Sequence, residues 1–148
     1  MKDFSRGITV FLMDYEKYFI VITCTDADGD KSKDFCCIVN VSSLVGTRNT
    51  PSFAGNSATK SGMIELTKCI ASEYSKHKIR CKVVLPGTIG TPMLDVLAKD
   101  IVEHALVKRP MQRLGEPEET ANVCLFLAFN ESSYVNGACL EVTGGLHA

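Results

Sequence analysis

The chain has 148 residues, 45% of them hydrophobic, and a formal net charge of −1. That length and apolar content suit one globular domain with an ordinary core. The near-neutral balance, with no basic run, excludes an electrostatic track for nucleic acid, and no apolar segment approaches the about 20 residues that span a bilayer.

Residues 1–35 carry the least regular pattern. Lys2 and Arg6 precede an apolar run at 8–13 in the manner of a secretory leader, but Asp14, Glu16 and Lys17 end that run and no small-residue cleavage site follows. An intracellular protein is therefore expected, and the Asn-x-Ser matches at Asn40 and Asn130 read as chance. Residues 8–13 and 18–23, rich in β-branched and aromatic side chains, each predict a strand. Residues 26–34 (DADGDKSKD) predict a polar loop. An EF-hand calcium loop needs a glutamate at its twelfth position, and counting from Asp26 that position is Cys37. None of the seven cysteines forms a CxxC pair with downstream His or Cys at zinc spacing, so reduced, buried thiols are expected and no metal site.

From Cys36 the pattern becomes regular. Residues 36–41 form an apolar run broken only by Asn40, as expected of a parallel strand buried on both faces. The hydroxyl pair Ser42–Ser43 follows, then a loop holding Gly46, Pro51 and Gly55. Ala58, Met63, Ile64, Leu66, Thr67, Ile70, Ala71 and Tyr74 have helical spacing and predict a helix over 57–75, with Lys60 in its first turns and His77-Lys78 at its end. Residues 79–85 predict a second buried strand, stopped by Pro86-Gly87. A polar turn and a helix over 94–107 come next, then a helix over 118–129 opened by Gly115-Glu116-Pro117 with acids in its first turn. Residues 138–142 predict a third strand, ended by Thr143-Gly144-Gly145. Strands alternating with helices mean βαβ units and an α/β fold on a parallel sheet. His104 and His147 read as surface residues and His77 as a helix-end residue. A serine at the C-terminal end of a buried strand and a lysine in the next helix point into one crevice, where open α/β sheets bind ligands.

Five ordered motifs carry a resemblance: IVNVSS at 38–43, Lys60 as the lysine of a Tyr-x-x-x-Lys motif, LPGTIGTPM at 85–93, RLGEPEETANVCLFLA at 113–128, and EVTGG at 141–145. Residues 36–148 resemble the C-terminal half of the short-chain dehydrogenase/reductase family, within it the 3-oxoacyl-[acyl-carrier-protein] reductases and the estradiol 17-beta-dehydrogenase type 8 group. The resemblance implies the second half of a Rossmann-type doubly wound parallel sheet, preceded by a divergent segment at 1–35. It implies NAD- or NADP-dependent interconversion of carbonyl and alcohol on a 3-oxoacyl thioester or a hydroxysteroid. Ser43 would hydrogen-bond the substrate oxygen. Lys60 would bind the nicotinamide ribose and lower the pKa of the family's catalytic tyrosine. In the loop Pro86-Gly87-Thr88-Ile89-Gly90-Thr91, backbone groups near Ile89 would contact the carboxamide, and Thr91 would reach towards the cofactor. The helix after Asn56 and the last strand would form homo- or hetero-oligomer contacts, in a mitochondrial or cytoplasmic setting, with neither nucleic acid nor membrane as partner.

The departures from the family pattern are chemical. Asn56 stands four residues before Lys60, where the family has its tyrosine. One helical turn puts residues four apart on one face, so the resemblance implies that the family's tyrosine and lysine converge on one oxygen, and here Asn56 holds the tyrosine's position. A tyrosine hydroxyl has a reference pKa of about 10 and can be drawn towards neutrality by an ammonium, whereas an amide has no usable proton. Losing a positioned general acid commonly costs a factor of about 10²–10⁴ in rate. No glycine-rich turn for a pyrophosphate occurs in 1–35, and the family's Asn-Asn-Ala-Gly strand is missing. Lys82 stands where relatives often carry asparagine. The chain alone is therefore expected to bind the dinucleotide poorly and to turn over slowly or not at all. The alternatives are a non-catalytic interaction subunit of a full-length relative, or a truncated product with no independent role. Residues 18–23 are expected to cover the strand edge beside 36–41.

Overall fold

The computed structural model describes residues 8–13, 19–24, 36–48, 51–92, 94, 106–107 and 109–146. Among them, in chain order, lie β1 (Ile8–Met13), β2 (Phe19–Cys24), β3 (Cys36–Val41), α1 (Ala54–Tyr74), β4 (Ile79–Pro86), α2 (Pro117–Ala128) and β5 (Cys139–Val142). Strands β3, β4 and β5 form a parallel sheet in that order, with Val39 opposite Lys82 and Val83 opposite Cys139. This is the expected α/β architecture: parallel strands joined by segments that carry a helix. β1 and β2 make a separate antiparallel pair, Ile8 opposite Cys24 through Met13 opposite Phe19. β2 lies beside β3, while its hydrogen-bond ladder runs to β1.

The sheet is covered on both faces because successive side chains along each strand alternate. One face presents Cys37, Val39 and Val84 to Cys124, Leu127 and Ala128 of α2. The other presents Val83 and Leu85 to Ile64 of α1. Burying each Val or Leu is worth about 1.5–3 kcal/mol, so β4, with both faces filled, anchors the domain.

The helix boundaries have local causes. α1 starts three residues before the expected position. A turn at Pro51–Ser52, with Ser52 at φ 69°, delivers Phe53 as the residue preceding the helix, and the Ser57 N–H reaches the Phe53 carbonyl at 2.8 Å. Its buried stripe is Lys60, Met63, Ile64, Thr67 and Ala71, narrower than the apolar spacing suggested, and Leu66 and Tyr74 are exposed. After a 3-10 turn at Ser75–His77 the chain leaves the helix through Lys78, which is left-handed at φ 60°. α2 opens on Pro117 with a reciprocal capping box between Glu116 and Glu119. Cys37, Cys81 and Cys124 are buried free thiols as expected, but Cys69 and Cys139 are exposed, which corrects the expectation for those two. Most of the helix expected over 94–107, the loop at 26–34, and His104 and His147 lie outside the described residues.

Candidate active site

β3 ends at Val41, and the chain passes through Ser42 and Ser43 into a 3-10 turn, Leu44–Gly46. The two hydroxyls have different surroundings. Ser42 is buried; its N–H continues the ladder to Val84, and its hydroxyl donates to the main-chain carbonyl of Lys60 at 2.8 Å. Ser43 is half-buried, and its oxygen accepts one long contact from the Val45 N–H, 3.4 Å. Ser42 therefore fixes the helix to the strand, while Ser43 keeps an oxygen able to meet a substrate. Gly46 makes that arrangement possible. A Cβ there would stand 2.8 Å from the Lys60 carbonyl carbon, and Ser61 donates its hydroxyl to the Gly46 carbonyl at 2.8 Å.

Lys60 is buried, and its ammonium donates to the Val41 carbonyl at 3.4 Å, at the end of β3 that carries the serines. Burial pulls its pKa down to about 8. Asn56 lies one turn earlier in α1 and is half-buried. The fold thus places Ser43 and Lys60 at the same end of the sheet, with Asn56 in the first turn of the helix that carries the lysine.

The second wall is the loop after β4. Pro86 pairs with Val142, and the Gly87 N–H donates to the Val142 carbonyl at 2.9 Å. Gly87 passes close to β5: a Cβ on it would lie 3.1 Å from Thr143 Cα. Ile89 bridges Gly115 through the Thr88 carbonyl and the Gly90 N–H, at 3.2 and 2.8 Å. In a parallel bridge of this kind the N–H and C=O of Ile89 itself point away from Gly115. They are the backbone groups that a nicotinamide carboxamide would need. Thr91 is half-buried, and its carbonyl accepts from the Leu94 N–H at 2.9 Å. Lys60 therefore lies at the end of β3, and Pro86, Gly87, Ile89 and Thr91 lie at the end of β4 and in the loop after it. No glycine-rich turn in the sequence offers a pyrophosphate site.

Two features escaped the sequence reading. Lys82 is fully buried; it donates to the Leu127 carbonyl and, at 2.7 Å, to the Ser132 hydroxyl, while Arg80 reaches the Ser132 and Phe129 carbonyls at 3.0 and 3.3 Å. The available signal was two cations at alternate positions of a buried strand, which share one face. Arg109 is also buried, with no hydrogen-bond acceptor for Nε, Nη1 or Nη2 among the described residues, and burial pulls its guanidinium below the usual range. Among the described residues no cluster of three His, Cys, Asp or Glu could hold a metal ion, and no helix is long and apolar enough to cross a membrane.

A parallel β3-β4-β5 sheet flanked by α1 and α2, with ligand-binding crevices expected at its C-terminal ends, is part of a Rossmann-type doubly wound fold. Residues 17–147 match the family model described as Enoyl-(Acyl carrier protein) reductase, and the chain belongs to the short-chain dehydrogenase/reductase family. It is 43% identical over 109 residues to (3R)-3-hydroxyacyl-CoA dehydrogenase of Homo sapiens, which covers 74% of this chain and 42% of that protein. It is 47% identical over 109 residues to 3-oxoacyl-[acyl-carrier-protein] reductase of Thermotoga maritima, covering 74% and 44%. The crystal structure of a 3-oxoacyl-[acyl-carrier protein] reductase with bound NAD from Brucella melitensis superposes with a TM-score of 0.70 at 38% identity, covering 76% of this chain and 41% of that one. The chain spans less than half the length of each of these relatives.

Proposed function

We propose that this chain carries the substrate-oxygen and nicotinamide side of a short-chain oxidoreductase site without a working proton donor. Alone, it turns over a 3-oxoacyl thioester or a hydroxysteroid slowly or not at all. The observation that carries this reading is Asn56, one helical turn before the buried Lys60. A bound nicotinamide cofactor supplies or accepts hydride. The chain's own part is to hold the substrate oxygen and manage its proton. Ser43 has an oxygen free enough to hydrogen-bond that group. Asn56 can orient it through its amide but cannot protonate an alkoxide, and Lys60 keeps its place on the Val41 carbonyl. NAD or NADP is the cofactor class that the relatives' chemistry and the Ile89 backbone geometry support.

Titration of the full chain with NADH and NADPH, followed by cofactor fluorescence, tests the reading. No micromolar binding is expected, and turnover on a 3-oxoacyl thioester or a ketosteroid should lie at least about 10²-fold below a complete family member. Micromolar binding with ordinary turnover would overturn it.

A second reading, an interaction subunit that assembles with itself or a full-length relative, is favoured by the outward face of the fold. Leu66, Cys69 and Tyr74 of α1 and Cys139 and Leu140 of the outer strand β5 are exposed. Single surface apolar residues are ordinary, but a set on one helix and one sheet edge suits a protein contact. Co-purification with a full-length reductase would support it; a monomer in sedimentation with no capture of that reductase would count against it.

A further inference from the structure

Four residues, Arg109 to Gln112, lie against the turn that follows β5, and only the charged one is buried. Pro110, Met111 and Gln112 are exposed, whereas Arg109 is 2% exposed. Among the described residues its Nε, Nη1 and Nη2 have no hydrogen-bond acceptor, and all three are shut off from solvent. A guanidinium stays charged at any physiological pH, so it cannot escape burial by losing its proton. A charge buried without compensation is among the most costly features a fold can carry. Lifting the segment would return that charge to water.

The attachment of the segment is slight. Among the described residues, its main-chain bond to the turn runs from the Met111 N–H to the Gly144 carbonyl, at 3.2 Å. The Arg109 and Gln112 N–H groups bond locally, to the Leu106 and Arg109 carbonyls, both at 3.0 Å. Gln112 is left-handed at φ 50°, a conformation that a residue with a side chain adopts only at a cost. The fit also depends on two left-handed glycines, Gly144 at φ 65° and Gly145 at φ 80°. A Cβ on Gly145 would stand 3.1 Å from Pro110 Cγ. A cavity of about 420 Å³ opens at this end of the sheet, with Met111, Gly144 and Gly145 in its wall. A segment that lifts from the turn takes part of that wall with it.

We propose that residues 109–112 are a strap poised to lift: the buried, uncompensated Arg109 keeps its seated state shallow, and its release opens the cavity beside Gly144. The proposal stands apart from the oxidoreductase reading. It concerns access to the end of the sheet, not the chemistry at Ser43 and Lys60.

Native-state hydrogen exchange of the full chain, read residue by residue by NMR, tests it. The reference is the Gly87 amide, which donates to the Val142 carbonyl at 2.9 Å within the sheet. In wild type the Met111 amide should be at least about 10²-fold less protected than that of Gly87. Its exchange should also be insensitive to low urea, because local opening exposes little surface. Arg109→Met fills the same place without a charge and should raise Met111 protection at least about tenfold. Gln112→Gly removes the left-handed penalty and should raise it about threefold. A wild-type Met111 amide that matches Gly87 in protection and urea dependence would overturn the proposal, since the segment would then leave only with the whole fold. That measurement stands without either variant. Met111 protection unchanged in Arg109→Met would overturn it equally.

Discussion

Ser42 and Lys60 are joined in both directions. The Ser42 hydroxyl donates to the Lys60 carbonyl at 2.8 Å, and the Lys60 ammonium donates back to the carbonyl of Val41, the residue before Ser42, at 3.4 Å. The lysine is thus held at the end of β3 through both its backbone carbonyl and its ammonium. Ser42→Ala should cost about 1–2 kcal/mol in urea unfolding, because a buried bond is removed. Ser43→Ala should cost under about 0.5 kcal/mol, since its oxygen makes one long contact. The reverse ranking would make Ser43 the structural serine.

Two glycines give opposite expectations. At Gly46 a Cβ would meet the Lys60 carbonyl carbon at 2.8 Å and its carbonyl oxygen and Cβ at 3.0 Å, so Gly46→Ala must push the loop off α1. A loss of about 1–3 kcal/mol is expected. At Gly62, inside α1, nothing lies within 4 Å of the Cβ position, and Gly62→Ala should stabilise the chain by about 0.5–1 kcal/mol through helix propensity. Denaturant midpoints of the two variants moving in the same direction would contradict this.

The pKa of Lys60, held at about 8 by burial against the ordinary 10.5, makes a signed pH dependence. Between these values the unfolded chain keeps a proton that the folded chain has released, so this residue's contribution to stability rises with pH across that window. Below about pH 8 both states are charged and the full burial penalty stands. Lys60→Met removes that penalty, so wild type should gain on the variant by on the order of 1–2 kcal/mol from pH 7 to pH 10. Urea melts of both chains at the two pH values measure it. If wild type falls further behind at pH 10, the ammonium is stabilised by the fold rather than penalised.

Asn56→Tyr restores the family letter without restoring a pyrophosphate site. Turnover with excess NADH or NADPH should therefore stay within about tenfold of wild type, although a positioned general acid is commonly worth about 10²–10⁴. Recovery towards the larger factor would show that the dinucleotide binds without a glycine-rich turn, and that the missing proton donor was the main defect.

Most of what positions this site was legible in the sequence, because the strands that matter are buried on both faces and alternate with helices. The run at 36–41 coincides with β3, and Ser43, Lys60 and the Pro86–Thr91 loop lie at the C-terminal ends of β3 and β4. The family resemblance puts Asn56 at the tyrosine's position four residues before Lys60, and α1 carries both residues one turn apart. What spacing could not show was how polar residues share partners. Ser42 and Ser43 are adjacent and chemically identical, and only their surroundings separate a latch from a free oxygen. The width of the apolar face of α1 was overestimated for a related reason. Helical periodicity counts Leu66 and Tyr74 with the core, but burial follows the line Lys60–Ile64–Thr67–Ala71 that meets the sheet. Lys82 was visible as a departure from the family, without any sign that it would be buried or what it would hold.

Lys82 supplies the last expectation. Its ammonium sits between the Leu127 carbonyl, near the C-terminal end of α2, and the Ser132 hydroxyl, which donates to the same carbonyl at 2.8 Å. The Cys37 thiol donates to it as well, at 3.3 Å. A cation there suits the negative end of a helix dipole and adds a charged donor to a carbonyl it shares with Ser132 and Cys37. Lys82→Met keeps the volume and leaves Ser132 on Leu127, so a loss of about 1–2 kcal/mol is expected. Lys82→Ala also opens a cavity in the centre of β4 and should cost about 3–5 kcal/mol. Because Lys82 and Ser132 share one acceptor, Lys82→Met and Ser132→Ala should be non-additive by at least about 0.5 kcal/mol in a double-mutant cycle. Strict additivity would mean that the two side chains hold α2 independently, and that the lysine is accommodated by the end of the helix rather than fastening it to the sheet.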